Sequence, residues 1–268
     1  MRLSLAQLGA GTDKARNLSL VAGHARSAAE AGADLVAFPE FSMYDKKAVD
    51  RTFTVAAEPL DGAFVDGIRA LAVELALTIV VGVVERNEVG DRPYNTLVAI
   101  DPSGSLVARY RKVHLFDSFG FRESDSITAS ESLEPVVFSV GDITVGLMTC
   151  YDLRFPELSR ALADAGAQLM LACSSWVPGE GKAEQWKVLA RARAIENACF
   201  FGAVSQIPPI SIGRSLMVNP MGGVLGELDD RSGIATFDVT AAQVSDAREN
   251  NPALEHRRYP GFRALAPR

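Results

Sequence analysis

Apolar residues along this chain follow two spacings, short continuous runs and a repeat every three to four positions. Runs of strand length fall near 2–7, 34–38, 78–85, 94–100, 106–110, 143–149, 168–173, 200–206, 215–218 and 234–239. Helical spacing falls near 13–31, 61–76, 156–165, 182–196 and 240–248. Runs of the first kind predict buried strands and the second amphipathic helices, so the order is that of an α/β protein. Asp61 is placed to cap the second helix, and Asp101-Pro-Ser-Gly104 predicts a hairpin turn between strands 94–100 and 106–110. No low-complexity linker or shift in composition divides the chain, which is expected to form one domain over residues 1–268. One internal echo is present: Ala29-Glu-Ala-Gly-Ala-Asp-Leu-Val parallels Ala163-Asp-Ala-Gly-Ala-Gln-Leu-Met. Each reads as a helix stopped by glycine and leading into a buried strand. Two such halves fit two sheets packed face to face with helices outside.

The change of spacing around residue 150 is the most informative place in the chain. Residues 143–149 form an apolar, β-branched run introduced by Gly141-Asp142, whereas Leu158, Ala161, Leu162 and Ala165 recur at helical spacing until Gly166. Pro156 sits where a first helical turn tolerates it. Cys150 therefore falls on a strand-to-helix elbow, where a side chain is held rigidly and backbone N–H groups lack partners. There a thiol can serve either as a small buried apolar group or as a nucleophile beside an oxyanion site.

A nucleophilic thiol needs a partner that removes its proton. The chain has three histidines. His24 falls in an Ala-rich helical segment, His256 in a charged tail, and only His114, two residues after Lys112, lies in a strand-like stretch. Two other strand ends carry charges: Asp34-Leu-Val-Ala-Phe-Pro runs into Glu40, and Leu106-Val-Ala-Arg-Tyr-Arg runs into Lys112. A charge at the end of a buried strand is costly unless paired. A carboxylate, an ammonium and a thiol can meet one another's needs, with Glu40 as general base, Lys112 as cationic stabiliser and Cys150 as attacking sulfur.

Phe-Pro-Glu-Phe at 38–41, Tyr-Arg-Lys-Val-His-Leu-Phe at 110–116 and Cys-Tyr-Asp-Leu-Arg-Phe-Pro-Glu-Leu at 150–158 resemble the three signature blocks of the nitrilase superfamily. Their order and spacing agree as well, and further matches lie in residues 185–197 and 251–258. The resemblance covers essentially the whole chain and points to the branch with ω-amidases and deaminated-glutathione amidases. It implies an α-β-β-α sandwich and a Glu-Lys-Cys triad made of Glu40, Lys112 and Cys150. It also implies a second glutamate, Glu123, that orients Lys112, and hydrolysis of a carbon–nitrogen bond without metal or organic cofactor. Members commonly dimerise, and the helices after Cys150 and around 182–196 would supply that interface. The chain departs from typical ω-amidases in having only Asp117-Ser-Phe-Gly120 between Phe116 and Phe121, where those enzymes carry a longer insert.

The expected reaction is acyl transfer through a thioester, with Lys112 and the backbone N–H of Tyr151 holding the oxyanion. Lys112 favours thiolate at Cys150 and burial opposes it; the sequence leaves the balance open. Arg154, four residues after Cys150, either grips a substrate carboxylate or pairs with Asp152 or Glu157. Trp176 either walls the pocket or belongs to the core. Amide hydrolysis of a small carboxylated substrate is the first reading. A carbamoyl-amine hydrolase or nitrilase with the same three residues is the second, and an inactive scaffold the third.

Composition narrows the partners. A net charge of −6 argues against nucleic-acid or anionic-membrane binding, and no stretch reaches membrane-spanning length. Three cysteines without close spacing imply neither a disulfide framework nor a zinc site, and Cys173 and Cys199 read as inert core thiols. Met1-Arg-Leu-Ser-Leu-Ala-Gln-Leu reads as a first strand, not a signal peptide. A working thiol suits a reducing, cytoplasmic compartment. Gly179-Glu-Gly-Lys182 lacks the earlier glycine of a phosphate-binding loop.

Overall fold

Each predicted apolar run forms a strand in one of two six-stranded sheets. The structure, a computed structural model, describes residues 1–259; residues 260–268 of the expected domain lie outside it. The first half runs β1 (Arg2–Gln7), α1 (Lys14–Glu30), β2 (Leu35–Ala37), α2 (Thr52–Ala56), α3 (Ala63–Leu75), β3 (Thr78–Glu85), β4 (Tyr94–Ile100) and β5 (Leu106–Arg111). After a single 3-10 turn, Glu123–Asp125, the second half runs β6 (Val137–Val140) and β7 (Ile143–Thr149). A second 3-10 turn, Cys150–Arg154, follows. Then come α4 (Pro156–Asp164), β8 (Leu169–Ser174), α5 (Lys182–Asn197), β9 (Phe200–Ser205), β10 (Leu216–Val218) and β11 (Val224–Glu227). The chain closes with β12 (Gly233–Asp238) and α6 (Ala241–Asn250).

The two sheets share one plan. In the first, β1, β2 and β3 are parallel neighbours, β12 adds antiparallel beside β1, and the β4–β5 hairpin adds beside β3. In the second, β7, β8 and β9 are parallel, β6 adds antiparallel beside β7, and β10–β11 adds beside β9. The sequence echo falls on equivalent joints. Gly32 and Gly166 have φ of 74° and 93°, and the next N–H reaches back to the helix in the same way, Ala33 to Ala28 and Ala167 to Leu162, each at 3.0 Å. Glycine takes this left-handed turn without the strain a Cβ would bring.

One face of the first sheet packs Val36, Ile79, Val81 and Val98 against Val21, Ala25, Ile68 and Ala72 of α1 and α3. The other face meets the second sheet: a Cβ on Gly202 of β9 would lie 2.9 Å from Leu171 and 3.2 Å from Leu5 of β1. Helices α4 and α5 cover the far side, where Leu162 packs over Gly146 of β7. The result is an α-β-β-α sandwich of two mixed sheets. Strands buried on both faces read as unbroken apolar runs because no position along them faces water.

Three short elements, α2, β6 and β11, were not marked by the apolar pattern. β11 is mostly exposed, and β6 carries one buried residue, Phe138, in four. The capping expectation for Asp61 is corrected. Gly62 occupies the cap of α3 without a side-chain bond, and the Glu58 carboxylate accepts the Phe64 N–H at 2.9 Å while paired with Lys14.

Gly82 in β3 shows how the frame positions the end of β2. A Cβ there would fall 2.6 Å from both the Phe41 nitrogen and the Pro39 oxygen and 2.7 Å from the Glu40 Cα. These are backbone atoms and cannot swing aside. The Phe38–Met43 chain thus crosses directly over β3, closed by Gly82 N–H to Pro39 (3.2 Å) and Met43 N–H to Gly82 (3.1 Å). Gly82→Ala is expected to cost about 1–3 kcal/mol through overpacking. Gly23→Ala, at an open position on α1, is expected to gain up to about 1 kcal/mol. Thermal unfolding of the two variants checks the pair, and equal shifts would contradict the close approach.

Candidate active site

Four strands end at one edge of the sandwich, and their C-terminal ends bring Glu40 (after β2), Lys112 (after β5), Cys150 (after β7) and Ser175 (after β8) together. Open α/β sheets commonly place ligands at such ends. They meet around a cavity of about 490 Å³ whose lining includes Glu40, Asp45, Lys112, Glu123, Cys150 and Ser175.

Lys112 is 2% exposed and lies between two carboxylates. Its Nζ donates to Glu40 Oε1 at 2.8 Å and to Glu123 Oε1 and Oε2 at 3.1 and 2.9 Å. Burial alone would push the ammonium down, but the charges of Glu123 and Glu40 prevail and hold it well above the ordinary lysine value. Lys112 is therefore a permanent cation. Glu123 is buried, which pushes its carboxyl up against the pull of Lys112, and the neighbouring Glu40 adds to the push. Its Oε2 also accepts the Phe116 N–H at 2.7 Å, so Glu123 is fixed in the site rather than solvated on the loop.

Asn95 of β4 was missed in the sequence. Its Nδ2 donates to Glu40 Oε1 at 2.7 Å and to Glu123 Oε1 at 3.2 Å, and its backbone carbonyl accepts the Lys112 backbone N–H at 2.8 Å. The one available signal was a polar residue within an apolar strand. Ser175 was missed too: its N–H donates to Glu40 Oε2 at 2.6 Å. Between them, Asn95, Lys112 and Ser175 fix both oxygens of Glu40.

Cys150 sits at φ 48°, a left-handed conformation that costs a non-glycine residue about 1–3 kcal/mol and persists only where surroundings enforce it. The enforcement comes from Asp152. Its carboxylate accepts Tyr110 Oη at 2.6 Å, Thr149 N–H at 2.9 Å, His114 N–H at 3.1 Å and His114 Nδ1 at 2.7 Å. His114, stacked on Phe155 with ring centroids 3.7 Å apart, thus braces the elbow and is bound to Asp152. Pro156 opens α4 as expected. Tyr151 lies in the first turn of the 3-10 segment, where N–H groups lack helical partners.

The thiol lies 3.8 Å from the Ser175 carbonyl oxygen, to which it donates. Burial and then the Glu40 charge push the Cys150 thiol well above its ordinary value, against the pull of Lys112. The balance left open by the sequence falls to the neutral thiol. Cys173 and Cys199 are buried, and burial pushes both up, Cys199 to about 12. Asp45 also faces the cavity, with its carboxyl pushed up by burial and its Oδ2 accepting Ser175 Oγ at 2.9 Å. Among the described residues no group of three His, Cys, Asp or Glu side chains is placed to hold a metal ion.

Arg154 pairs with neither Asp152 nor Glu157; its Nη2 donates to Gln185 Oε1 at 2.7 Å and its Nε is buried without a partner. Trp176 joins the core beside Trp186 and also lines a smaller cavity that reaches Cys150.

The chain matches proteins of known family. The carbon–nitrogen hydrolase family model matches residues 2–249. A hydrolase of Mycobacterium tuberculosis is 39% identical, covering 96% of this chain and 95% of its own. The deaminated glutathione amidase of Escherichia coli O157:H7 is 32% identical over 91% of this chain and 92% of its own. Among solved structures, an amidase of the nitrilase superfamily from Nesterenkonia sp. AN1 superposes with a TM-score of 0.81 and 28% identity, covering 96% of this chain and 94% of that one. That structure is of a glutamate-to-glutamine mutant, with the acetamide moiety of fluoroacetamide covalently added at the active-site cysteine. The chain belongs to the carbon–nitrogen hydrolase family, within the nitrilase superfamily.

Proposed function

We propose that this protein hydrolyses the terminal amide of a small carboxylated substrate through a Cys150 thioester. The observation that carries this reading is the contact set of Glu40: hydrogen bonds from Lys112, Asn95 and Ser175 hold a carboxylate beside a neutral thiol. A neutral thiol needs a base at the moment of attack, and Glu40 is a carboxylate fixed in the same cavity as Cys150. Glu40 takes the thiol proton as sulfur adds to the amide carbon. Lys112, charged throughout, and the Tyr151 N–H receive the developing oxyanion, a stabilisation of about 3–4 kcal/mol per donor. Glu40 then passes its proton to the departing nitrogen, ammonia leaves, and a thioester remains on Cys150. Water, deprotonated by Glu40, adds to the thioester and releases the acid and the thiol. Glu123 and Asn95 hold Lys112 and Glu40 in place through both halves of the cycle. Arg154 and Trp176 belong to the wall that receives the acyl chain.

The adduct in the Nesterenkonia amidase supports a cysteine nucleophile at the equivalent place, and the amidase names of relatives support amide over nitrile or carbamoyl substrates. Among the described residues no helix is long and apolar enough to cross a membrane. A cytoplasmic setting would suit a thiol that must stay reduced, and a second copy packing over α4 and α5, where Val188 and Ile195 are exposed, would make a dimer.

Ammonia release from a panel of ω-amides, aliphatic amides, N-carbamoyl amino acids and nitriles tests the reaction. Turnover is expected for the amides and none for Cys150→Ala, which should fold normally; a Cys150→Ala variant with wild-type activity would overturn the assignment. The base is tested separately. Glu40→Gln removes a charge that pushes the thiol up, so Cys150 should ionise at lower pH than in the wild type while turnover falls by about 10²–10⁴-fold. Ultraviolet thiolate absorbance followed against pH, with Cys150→Ala as blank, reads the first effect. An unchanged or higher midpoint would show that Glu40 does not act on the thiol.

A further inference from the structure

The loop that follows β2 grips Ser175 twice. Glu40 accepts the Ser175 N–H through Oε2 at 2.6 Å, and Asp45, farther along the same loop, accepts the Ser175 hydroxyl through Oδ2 at 2.9 Å. The Ser175 carbonyl takes the Cys150 thiol at 3.8 Å. A single residue thus carries the base on its N–H, the nucleophile on its carbonyl and Asp45 on its side chain. The Asp45 end of the loop is pinned, since its own N–H donates to the Gly11 carbonyl at 3.1 Å and the Asn17 side chain donates to that carbonyl at 2.7 Å. Behind Ser175, the buried Ser211 hydroxyl shares a hydrogen bond with the Ser175 hydroxyl at 2.9 Å.

Asp45 is 2% exposed and lines the main cavity, yet it enters no ion pair among the described residues. The next residue, Lys46, gives its backbone N–H to Asp45 Oδ1 at 2.8 Å but its ammonium to Asp50 at 2.7 Å. Of the other cations on the cavity wall, Lys112 is shared by Glu40 and Glu123, Arg122 pairs with Asp125, and Lys47 lies on the exposed rim. An ionised Asp45 would be a third carboxylate facing that cavity, desolvated and without a counter-charge. Burial accordingly pushes its carboxyl well above the ordinary aspartate value and the Glu40 charge adds to the push, against the hydrogen bonds from Ser175 and the Lys46 N–H. A carboxylic acid kept neutral in this way can hydrogen-bond inside an active site without bringing a charge to it.

We propose that Asp45 is a positioning residue: as an uncharged acid it orients Ser175, and through the Ser175 backbone it sets Glu40 and the Cys150 sulfur relative to each other. This rests on the amide-hydrolase reading above for what Glu40 and Cys150 do, and adds the reason a second acid stands beside the base. Neutrality matters as much as the hydrogen bond, because a charge at Asp45 would oppose both the thiolate and the oxyanion that form in the same cavity.

The test uses Asp45→Ala, Asp45→Asn, Ser175→Ala and the Asp45→Ala, Ser175→Ala double variant. Asparagine keeps the shape without the charge: its oxygen remains for the Lys46 N–H, and its Nδ2 donates to the Ser175 hydroxyl, which turns to Ser211. Three readouts are taken: kcat and KM for propionamide, the rate at which iodoacetamide alkylates Cys150 as followed by peptide mass, and infrared difference spectra of wild type minus Asp45→Asn at neutral pH. Asp45→Ala is expected to lower kcat and the alkylation rate by about 10–100-fold with little change in KM, as a displaced base and nucleophile would. Asp45→Asn should restore most of both, and the double variant should be no slower than the slower single variant, because the two residues act as one unit. The difference spectrum should carry the carbonyl band of an undissociated acid. Carboxylate bands in its place, or Asp45→Asn as slow as Asp45→Ala, would show that Asp45 works as an anion and overturn the proposal. A lowered melting temperature with kcat and alkylation unchanged would make Asp45 merely structural, and additive losses in the double variant would show that it does not act through Ser175; either overturns the proposal as well. No amide turnover by the wild type, with alkylation and infrared spectra as expected, would support the role of Asp45 and overturn the amidase reading instead.

Discussion

A single buried ammonium, held between two buried carboxylates, is the interaction on which the rest of the site depends. Lys112 touches Glu40 and Glu123 within 2.8–3.1 Å, and all three side chains are at most 5% exposed. Such a cluster does not stabilise a fold cheaply, since desolvation offsets much of the attraction. Its geometry is nonetheless exacting, because removing one member leaves an uncompensated charge in the interior, at a cost of about 3–5 kcal/mol. Asn95 tightens it by bonding both carboxylates at once. The cluster thereby does two things that chemistry at Cys150 requires. It keeps a cation charged where the proposed reaction would form an oxyanion, and it keeps a carboxylate in the same cavity as a thiol that burial holds neutral.

The sandwich exists, in functional terms, to bring strand ends from both sheets to that cluster. β2 and β5 deliver Glu40 and Lys112 from one sheet, while β7 and β8 deliver Cys150 and Ser175 from the other. Ser175 ties the two sheets, since its N–H holds Glu40 and its carbonyl accepts the thiol. Local strain accompanies this convergence. Phe41 and Cys150 take positive φ next to the reacting groups, and Gly82 admits the crossing chain. The structure enforces these conformations through Asp152 on one side and the close approach of β3 on the other.

Much of this was legible in the sequence, and the reasons are specific. Strands buried on both faces write themselves as apolar runs, and glycine stops at Gly32 and Gly166 mark equivalent joints in the two halves. Charges at the ends of such runs, Glu40 and Lys112, stand out because burial makes them costly. What stayed hidden depends on contacts between distant residues. Ser175 acts through its backbone N–H, which no side-chain pattern encodes. Asn95 serves the site from within a strand, and Asp152, one of the partners left open for Arg154, is claimed by Tyr110 and His114. Asp61 looked like a cap, yet Glu58 reaches the Phe64 N–H from outside the helix. The edge strands β6 and β11 lack the two-faced burial that made the others readable.

The central claim is that carbon–nitrogen cleavage passes through an acyl group on the Cys150 sulfur, with Glu40 and Lys112 arranged around it. The most direct measurement is to acid-quench the enzyme during turnover of an amide, with and without hydroxylamine, and to map the acyl mass by peptide. The account predicts the acyl increment on the peptide containing Cys150, and hydroxamate formed at the expense of the acid when hydroxylamine competes with water. Ammonia release with the acyl group on another residue, or turnover with no hydroxamate and no adduct at Cys150, would contradict it.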